Sequence, residues 1–342
     1  MHIERVDLAD AQRIRACDEA FLAAQRADCP EEPALTGPVF RGWLTVGWGG
    51  DPREVWLAPG RAGGAAGWYR LELPERENQD RAYLNLVVHP AERRHGLGTA
   101  LLRHAAARAA EHRRSVLSGP ARNGTPGDAF ARWSGAEGGV VAVQRMLDLG
   151  QLADGRLAGL RERAEQAAAG YSLVSWTGPV PEEFIGQAAA LNAALNDAPH
   201  DVGEAPAVWD ERRVREADAL RPHFGTRDYS VAAQHDSSGE MAALTDVVVD
   251  PVDPGWGHQG MTAVTRKHRG HRLGLLVKVA MLEWLATAEP QLQRIATWNG
   301  ESNAHMIAIN EALGYTILGP PATSWRIDVP AAQRLGAAAA QG

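Results

Sequence analysis

The sequence predicts a mixed α/β fold in which one domain plan occurs twice, and three observations lead to this prediction. The chain of 342 residues is long enough for two hydrophobic cores of ordinary size. A short basic motif containing glycine occurs once in each half, at residues 87–100 and again at 264–275. A similar order of apolar runs surrounds both copies, and a repeat at half the chain length indicates two domains rather than a solenoid of short units.

In the first half, apolar runs bounded by Gly and Pro predict strands, while apolar residues spaced three or four apart predict helices. The predicted strands cover residues 1–6, 54–57, 65–73, 82–88, 115–117 and 139–147. The predicted helices cover residues 9–27, 36–44, 97–112 and 130–133. We expect these strands to form a mixed, mostly antiparallel sheet that is flanked by the helices.

The second half repeats this order. Its predicted strands cover residues 171–176, 229–233, 241–249, 260–264, 294–298, 315–318 and 324–329. Its predicted helices cover 181–195, 209–220, 273–286 and 302–313, the first beginning with a proline followed by two acids that the helix dipole favours. We predict an N-terminal domain over 1–150, a helical connector over 151–169, a C-terminal domain over 170–330 and a flexible tail over 331–342.

The composition argues against several classes of protein. A net charge of −7 argues against a nucleic-acid-binding protein, and two cysteines are too few for a disulfide framework. No apolar run is long enough for a membrane span, and the N-terminus lacks the profile of a signal peptide. Arginine greatly outnumbers lysine, which is typical of a GC-rich bacterial genome. We therefore expect a cytoplasmic protein without nucleic-acid or membrane partners.

Each basic motif leads from a strand, through a turn, into a helix rich in Ala or Leu. Residues 93–98 read Arg-Arg-His-Gly-Leu-Gly, and residues 269–274 read Arg-Gly-His-Arg-Leu-Gly. Backbone N–H groups at a helix start bind phosphate, and glycine lets the backbone approach it closely. A Walker A loop is ruled out because Gly-Lys-Ser/Thr is absent, and Leu101 stands where a Rossmann motif needs its third glycine.

The element order, with Arg-x-x-Gly-x-Gly before a central helix, resembles the GNAT acyltransferase superfamily in two tandem copies that cover essentially the whole chain. The first motif fits completely, while the second departs at its fourth position, where Arg272 replaces glycine. Residues 303–315 match a second family feature, Asn-x-x-Ala-x-x-Leu-Tyr-x-x-x-Gly-Phe, with Asn310 at the tyrosine position. The first half keeps only a trace of this feature, with Ala131 at that position.

The resemblance implies an acyl-CoA-dependent N-acyltransferase that uses acetyl-CoA and a small-molecule amine. It also implies that the strand before each motif is bulged and splays from the next strand, so that the pantetheine arm enters the gap. No metal is expected. The residues predicted to bind CoA are Val88, Arg93, Arg94, His95, Gly96, Leu97, Gly98 and Thr99 in the first half, and Val264, Arg269, Gly270, His271, Arg272, Leu273, Gly274, Asn299 and Asn303 in the second.

The candidate catalytic residues lie in the second half. His258 has an ordinary pKa suited to a general base, although a surface histidine in a Pro/Gly loop explains it too. Asp246 stands inside an apolar strand, where a charge is costly unless it faces a cleft or is paired. Asn310 cannot act as an acid and could only hydrogen-bond the departing thiolate. Asn303 is also a natural cap for the helix that follows it.

Three further positions are weaker candidates. His200 and Asp201 lie in the loop where the family binds acceptors, and a solvated loop explains them equally well. Trp298 is the tryptophan expected to touch a ligand, whereas Tyr315 is interpreted as a core aromatic. Neither cysteine lies near a motif, so we expect direct transfer from thioester to amine without a covalent enzyme intermediate.

The two halves predict a division of labour. The first half has the better phosphate loop, and the second keeps the 303–315 segment and the catalytic candidates. We therefore expect transfer in the second half and a structural or regulatory acyl-CoA in the first. An acyl-CoA-binding sensor or structural protein with little turnover is the alternative, and protein or peptide acetylation is a third interpretation. A homodimer is left open beside a monomer.

Overall fold

The computed structural model describes residues 2–47, 49–60, 63–152, 155–198 and 200–336. They form two compact units: unit 1 comprises Met1–Ala142, Asp201–Ala205 and Gly319–Gly342, and unit 2 comprises Val143–His200 and Pro206–Leu318. Each unit is built on a mixed sheet with helices packed against it, which confirms the predicted fold class. Within the described ranges, no helix is both long and apolar enough to cross a membrane.

The elements of the first half end within a few residues of their predicted positions. In chain order they are β1 (Glu4–Arg5), α1 (Ala11–Asp28), α2 (Gly37–Thr45), β2 (Arg53–Pro59), β3 (Ala65–Glu72), β4 (Arg81–Val88), α3 (Leu97–Glu111), β5 (Val116–Arg122), α4 (Pro126–Trp133) and β6 (Glu137–Asp148). Short polar side chains begin several of these helices. Asp10 accepts hydrogen bonds from the first turn of α1, and Thr125 caps α4 ahead of Pro126.

The second half follows the same plan. Its elements are α5 (Arg156–Ala167), β7 (Tyr171–Thr177), α6 (Ile185–Ala193), α7 (Glu211–Leu220), β8 (Arg227–His235), β9 (Met241–Val249), β10 (Trp256–Val264), α8 (Leu273–Ala288), β11 (Arg294–Gly300), α9 (Ala304–Leu313), β12 (Thr316–Ile317), β13 (Ala322–Asp328) and α10 (Val329–Arg334). In the predicted connector, α5 buries Leu160 and Ala164 in the core of unit 2. Residues 153–154 of that connector and 337–342 of the predicted tail lie outside the described residues.

The sheet of unit 1 has the strand order β1-β2-β3-β4-β5-β13-β6. The last strand of the chain, β13, lies between β5 and β6 and is antiparallel to both, with Thr323 opposite Ala121 on one side and Val141 on the other. Unit 1 therefore does not end near residue 150, because its sheet includes a strand from the far end of the chain.

The sheet of unit 2 has the order β7-β8-β9-β10-β11-β6, and β12 pairs with the outer edge of β6. Only the second part of β6 belongs to this unit, where Met146 lies opposite Thr316. Each unit thus contains one strand position filled from the other half of the sequence. The predicted ranges 1–150 and 170–330 depart from the units at these strands, since strand pairing rather than chain order defines a sheet.

In each sheet, two neighbouring parallel strands diverge at the equivalent position. In unit 1 the parallel pairing of β4 with β5 covers only Arg81–Tyr83 and 116–118, although both strands continue. In unit 2 the pairing of β10 with β11 likewise stops after His258 and Ala296. A register shift between Gln259 and Thr262 marks a bulge in β10, whereas β4 pairs with β3 without a shift. The splay implied by the resemblance is thus present in both units, and the bulge only in β10.

Candidate functional site

The turn that joins β4 to α3 places two residues in the left-handed backbone conformation. Arg94 and Gly96 both have positive φ, at 67° and 78°, and Gly96 is the N-cap of α3 without a capping side chain. The first intrahelical bond runs from the Ala100 N–H to the Gly96 carbonyl, so the earlier N–H groups have no partner within the helix. Such a helix start favours an anion.

The corresponding turn of unit 2 keeps this conformation with the two residue types exchanged. Gly270 has φ 92°, in place of Arg94, and Arg272 has φ 52°, in place of Gly96. An arginine in the left-handed region costs about 1 kcal/mol. The exchange therefore leaves one arginine in the left-handed region in each turn and does not change the course of the turn.

The first arginine of each motif holds the turn to its own unit. The Arg93 guanidinium donates two hydrogen bonds to Asp28, at 2.7 and 2.8 Å, and its Nε donates to the Val88 carbonyl at 3.3 Å. Arg269 repeats the arrangement with the Val264 carbonyl, at 3.3 Å, and with the carboxylate of Asp197. Both arginines were predicted to bind CoA, and in the structure their charge is already paired.

The second set of arginines is free to meet a ligand. Arg94 and Arg272 are exposed, and among the described residues neither has a hydrogen bond or an ion pair. His95 is exposed as well, whereas Leu97 and Leu273 are buried and serve the cores. His271 contacts the ring of Tyr171, with centroids 5.4 Å apart.

A cavity of about 950 Å³ fills the gap between the diverging strands of unit 1. Its lining includes Gly96, Gly98 and Thr99 of the turn, and Phe21 and Trp43 from the first two helices. Of the residues predicted to bind CoA in this half, those lining the cavity are Val88, Arg93, Arg94, Gly96, Gly98 and Thr99. The structure therefore brings the turn and the strand gap into one continuous space.

Among the polar groups in the wall of this cavity that have no hydrogen-bond partner in the described residues, two lie on strands. They are Ser118 Oγ, at the last position of β5 that pairs with β4, and Trp325 Nε1 on β13. Both residues are at least nine-tenths buried, so leaving these groups unpaired is costly. A ligand or water with polar groups along its length would satisfy them.

Cys29 also lines this cavity, although the sequence places no motif near it. The helix α1 packs against β3 and β4, and this tertiary contact brings Cys29, the C-cap of α1, to the site. Burial raises the pKa of Cys29 to about 11 and that of Cys17 to about 12. Neither thiol is a nucleophile near neutral pH, which agrees with transfer that needs no acyl-enzyme.

The start of α8 in unit 2 is covered. Gly274 and Leu275 are buried, and a Cβ built on Gly274 would lie 3.3 Å from Cδ1 of Ile309 and 3.7 Å from Cγ2 of Val264. In unit 1 the equivalent Gly98 is partly exposed and has only ordinary contact with Phe130, at 3.5 Å. The helix start is thus partly exposed in unit 1 and buried next to Ile309 and Val264 in unit 2.

Lys278 is a prominent residue of unit 2 that the sequence analysis did not single out. It follows the start of α8 by five residues, the position at which Leu102 lines the cavity of unit 1. Its side chain is buried, and Nζ donates to Oδ1 of Asn310 at 2.6 Å. Burial lowers the pKa of Lys278 to about 7. In the sequence, this residue could have been found as a single lysine inside the apolar run that predicts α8.

The predicted residues Asn310 and Asn299 meet at this lysine. Asn310 Nδ2 donates to Asn299 Oδ1 at 2.7 Å, and Lys278 Nζ lies 5.1 Å from the ring centroid of Tyr315. The Tyr315 hydroxyl in turn donates to Gln259 on the bulged strand, at 3.1 Å. Tyr315 is buried, as expected for a core aromatic, and its hydroxyl joins this polar chain.

Asp246 and His258 lie beside the bulge of β10. The Met261 N–H, released by the bulge, donates to Asp246 Oδ1 at 2.8 Å. A Cβ on Gly260 would lie 2.3 Å from Asp246 Oδ2, so only glycine fits there. Burial raises the pKa of Asp246 to about 6 and lowers that of His258. His258 pairs with Val248, so the two candidates share one face of the sheet.

The remaining candidates have structural contacts. Asn303 caps α9 by accepting from the Met306 N–H at 3.2 Å. Asp201 belongs to unit 1, where it accepts from the Val140 N–H at 2.6 Å and from the hydroxyl of Ser324. His200 is exposed, and Trp298 is 39% exposed.

Comparison with known proteins agrees with this geometry. Residues 18–123 match the model of the acetyltransferase (GNAT) family. The fold is similar to that of a tandem GNAT protein from the clavulanic acid biosynthesis pathway, with 27% identity, a TM-score of 0.79, and coverage of 96% of this chain and 98% of that one.

Two further solved structures share the fold. A GCN5-related N-acetyltransferase from Sphaerobacter thermophilus is 17% identical, with a TM-score of 0.67 over 96% of this chain and 95% of that one. A GNAT-family acetyltransferase from Colwellia psychrerythraea is 10% identical, with a TM-score of 0.56 over 96% and 99%. No curated protein matches the sequence.

Proposed function

Since the chain is a GNAT-type N-acetyltransferase with two GNAT domains, we propose that it transfers an acyl group from acyl-CoA to the amine of a small molecule. Acetyl-CoA is the proposed donor. The observation that carries this proposal is the cavity of unit 1, which runs from an open, glycine-containing helix start into a gap between two strands. That shape suits a ligand with a phosphate at one end and an extended arm.

The residues of unit 1 fit acyl-CoA along its length. The N–H groups at the start of α3 and the unpaired Arg94 would hold the pyrophosphate. The strand backbone beyond Tyr83 would pair with the pantetheine arm, and Ser118 Oγ lies where the gap begins. Acyl-CoA itself supplies the activated thioester. Arg93, bonded to Asp28, would keep the turn in place rather than bind phosphate.

The proposed donor site is tested by a charge placed in the turn. Gly96→Asp should weaken acetyl-CoA binding by about a hundredfold in calorimetric titration, because a carboxylate would face the pyrophosphate. Gly155→Asp is the matched control, since Gly155 is likewise a helix N-cap with positive φ and suffers the same backbone strain outside the predicted donor site. If Gly96→Asp binds acetyl-CoA as tightly as the wild type, unit 1 does not hold the donor.

We further propose that transfer takes place in unit 2, with the CoA of unit 1 held for structure or regulation. Support comes from Asp246 and His258, which share a sheet face at the bulge where a carbonyl and an amine would meet. Asp246 would remove the proton from the attacking amine. Donor entry requires Ile309 to move from Gly274, because the helix start is covered. Arg272 would then meet the phosphate.

A protein that binds acyl-CoA with little turnover is the second candidate function. It is favoured by the covered helix start of unit 2 and by β4 of unit 1, which contains no acidic residue or histidine. The two functions differ in release of free CoA thiol. An amine panel that raises thiol release above the rate of hydrolysis supports the transferase, while native mass spectrometry that finds bound acyl-CoA without such release supports the sensor.

The partners follow from the same proposal. We propose a small-molecule amine as acceptor, ahead of a protein or peptide, and no nucleic-acid or membrane partner. A cytoplasmic location and a possible homodimer also belong to the proposal. Size measurement in solution and activity on free amines against peptides would test the oligomeric state and the acceptor class.

A further inference from the structure

Trp133 is a large aromatic side chain that the fold leaves in solvent. It ends α4 and is 60% exposed, yet it also lines the cavity of unit 1. Because the ring is both exposed and part of the cavity lining, a ligand in the cavity could bury it, and burial of a tryptophan ring is strongly favourable.

Neighbouring rings hold Trp133 in place. Its ring stacks on Phe130 with centroids 5.7 Å apart and an angle of 26° between the planes. Phe130 thus stacks against the indole, and more than half of the Trp133 side chain remains exposed. Thr125 at the N-cap and the pair Asp128–Arg132 hold the short helix that carries both rings.

Phe130 lies between Trp133 and the turn that precedes α3. The Phe130 ring lies 3.5 Å from a Cβ built on Gly98, at the helix start where the pyrophosphate is proposed to bind. Trp133 lies one ring further outward, on the solvent side of the same cavity. In CoA, a single ribose separates the pyrophosphate from the adenine base, so the base would arrive at about this ring.

We infer that Trp133 is the stacking platform for the adenine of acyl-CoA, an inference that rests on the proposed donor site of unit 1. The open indole face would cover the base, while Phe130 supports the indole from behind. Stacking of a base on an aromatic ring is favourable for any base and needs no hydrogen bonds. The protein would therefore select a nucleotide-bearing donor over an acyl group carried on phosphopantetheine alone, including that of a carrier protein.

The test compares two donors and two variants by calorimetric titration. Trp133→Ala should weaken acetyl-CoA binding by about tenfold, because stacking on the base is lost. Its binding of S-acetyl-4′-phosphopantetheine, which has no adenosine, should not change. Trp133→Phe is the matched variant and should keep most of the acetyl-CoA affinity. Since the side chain is exposed, both variants should melt at the wild-type temperature.

The outcomes separate this inference from the proposed function. If Trp133→Ala binds acetyl-CoA as tightly as the wild type while Gly96→Asp does not, the donor site stands and the adenine platform is wrong. Equal weakening for both donors would also overturn the platform, because it would mean general damage to the site. If acetyl-CoA does not bind the wild type, or binds Gly96→Asp normally, the donor site itself is wrong.

Discussion

The environment of Asp246 is set by the bulge in β10 and by burial. The bulge of β10 releases the Met261 N–H, which donates to the carboxylate, and Gly260 leaves room for it. Burial nevertheless dominates and raises the pKa of Asp246 to about 6. A carboxylate with such a pKa is a good general base near neutral pH, because most molecules carry it in the ionised form and it is basic enough to accept a proton.

The first prediction concerns this pKa. If Asp246 is the base, kcat should rise with pH through about 6 as the carboxylic acid ionises, and level off above it. Asp246→Asn should lower kcat by about a hundredfold and remove this rise. An unchanged pH profile in the variant would exclude Asp246 as the base. Acetyl-CoA affinity, measured by titration, serves as the control for correct folding.

Lys278 supplies the second prediction. The buried amine has its pKa lowered to about 7, whereas the unfolded chain keeps an ordinary value near 10.5. The unfolded state then binds more protons between these values, so stability gains a contribution that rises from pH 7 to about 10. Below pH 7 the full cost of a buried charge applies, on the order of a few kcal/mol.

Lys278→Met should therefore stabilise the protein more at pH 6 than at pH 9.5, as measured by urea unfolding at both values. The hydrogen bond to Asn310 is lost at both pH values, so the quantity compared is the difference between the two stability changes. Lys267→Met is the control, because Lys267 is exposed and pairs with Glu240 at the surface. A pH-independent effect of Lys278→Met would show that the pKa of Lys278 is not lowered in the fold.

At the scale of elements, β13 has the largest influence on the site. This strand lies inside the unit 1 sheet, between β5 and β6, and its Trp325 and Ile327 form part of the cavity wall. The chain positions that complete this sheet are thus far from the motif that predicts the site. A domain cut from the sequence at residue 150 would lack them.

Thr323→Pro should therefore destabilise unit 1, although Thr323 lies near the C-terminus. Proline removes a ladder hydrogen bond from a central strand, which costs about 3 kcal/mol or more. We expect a lower melting temperature together with weaker acetyl-CoA binding. Thr316→Pro is the control, because Thr316 lies in the two-residue strand β12. Equal effects of both variants would argue against a central role for β13.

At the scale of the whole molecule, the two units carry complementary features. Unit 1 has the open helix start and the cavity, and unit 2 has the bulge, the carboxylate and the buried amine–amide chain. Duplication explains this pattern, since two copies of one site allow each copy to lose what the other keeps. The proposed division of labour follows from these differences.

A crossed pair of variants tests that division. Asp246→Asn should lower turnover by about a hundredfold while the protein still retains acetyl-CoA in native mass spectrometry. Gly96→Asp should lose the retained acetyl-CoA and keep measurable turnover at saturating donor. If Gly96→Asp abolishes turnover in a folded protein and Asp246→Asn does not, the roles of the two units are reversed.

The sequence by itself determined the features that depend on local backbone rules. The doubled order of elements, the basic turn before each central helix and the helix caps at Asp10, Thr125 and Asn303 all follow from neighbours within a few residues. Even the exchanged Gly and Arg of the second turn preserve its course, because both positions demand the same left-handed backbone.

Only the tertiary structure decided which partners meet across long stretches of chain. Pairing of Arg93 with Asp28, the approach of Cys29 to the cavity and the burial of Lys278 on Asn310 are not visible in any local pattern. The same holds for β13, because its alternation of apolar and polar residues does not show which sheet it joins. Burial and strand pairing choose among such partners by the energy of the whole fold, and a short window of sequence does not contain that energy.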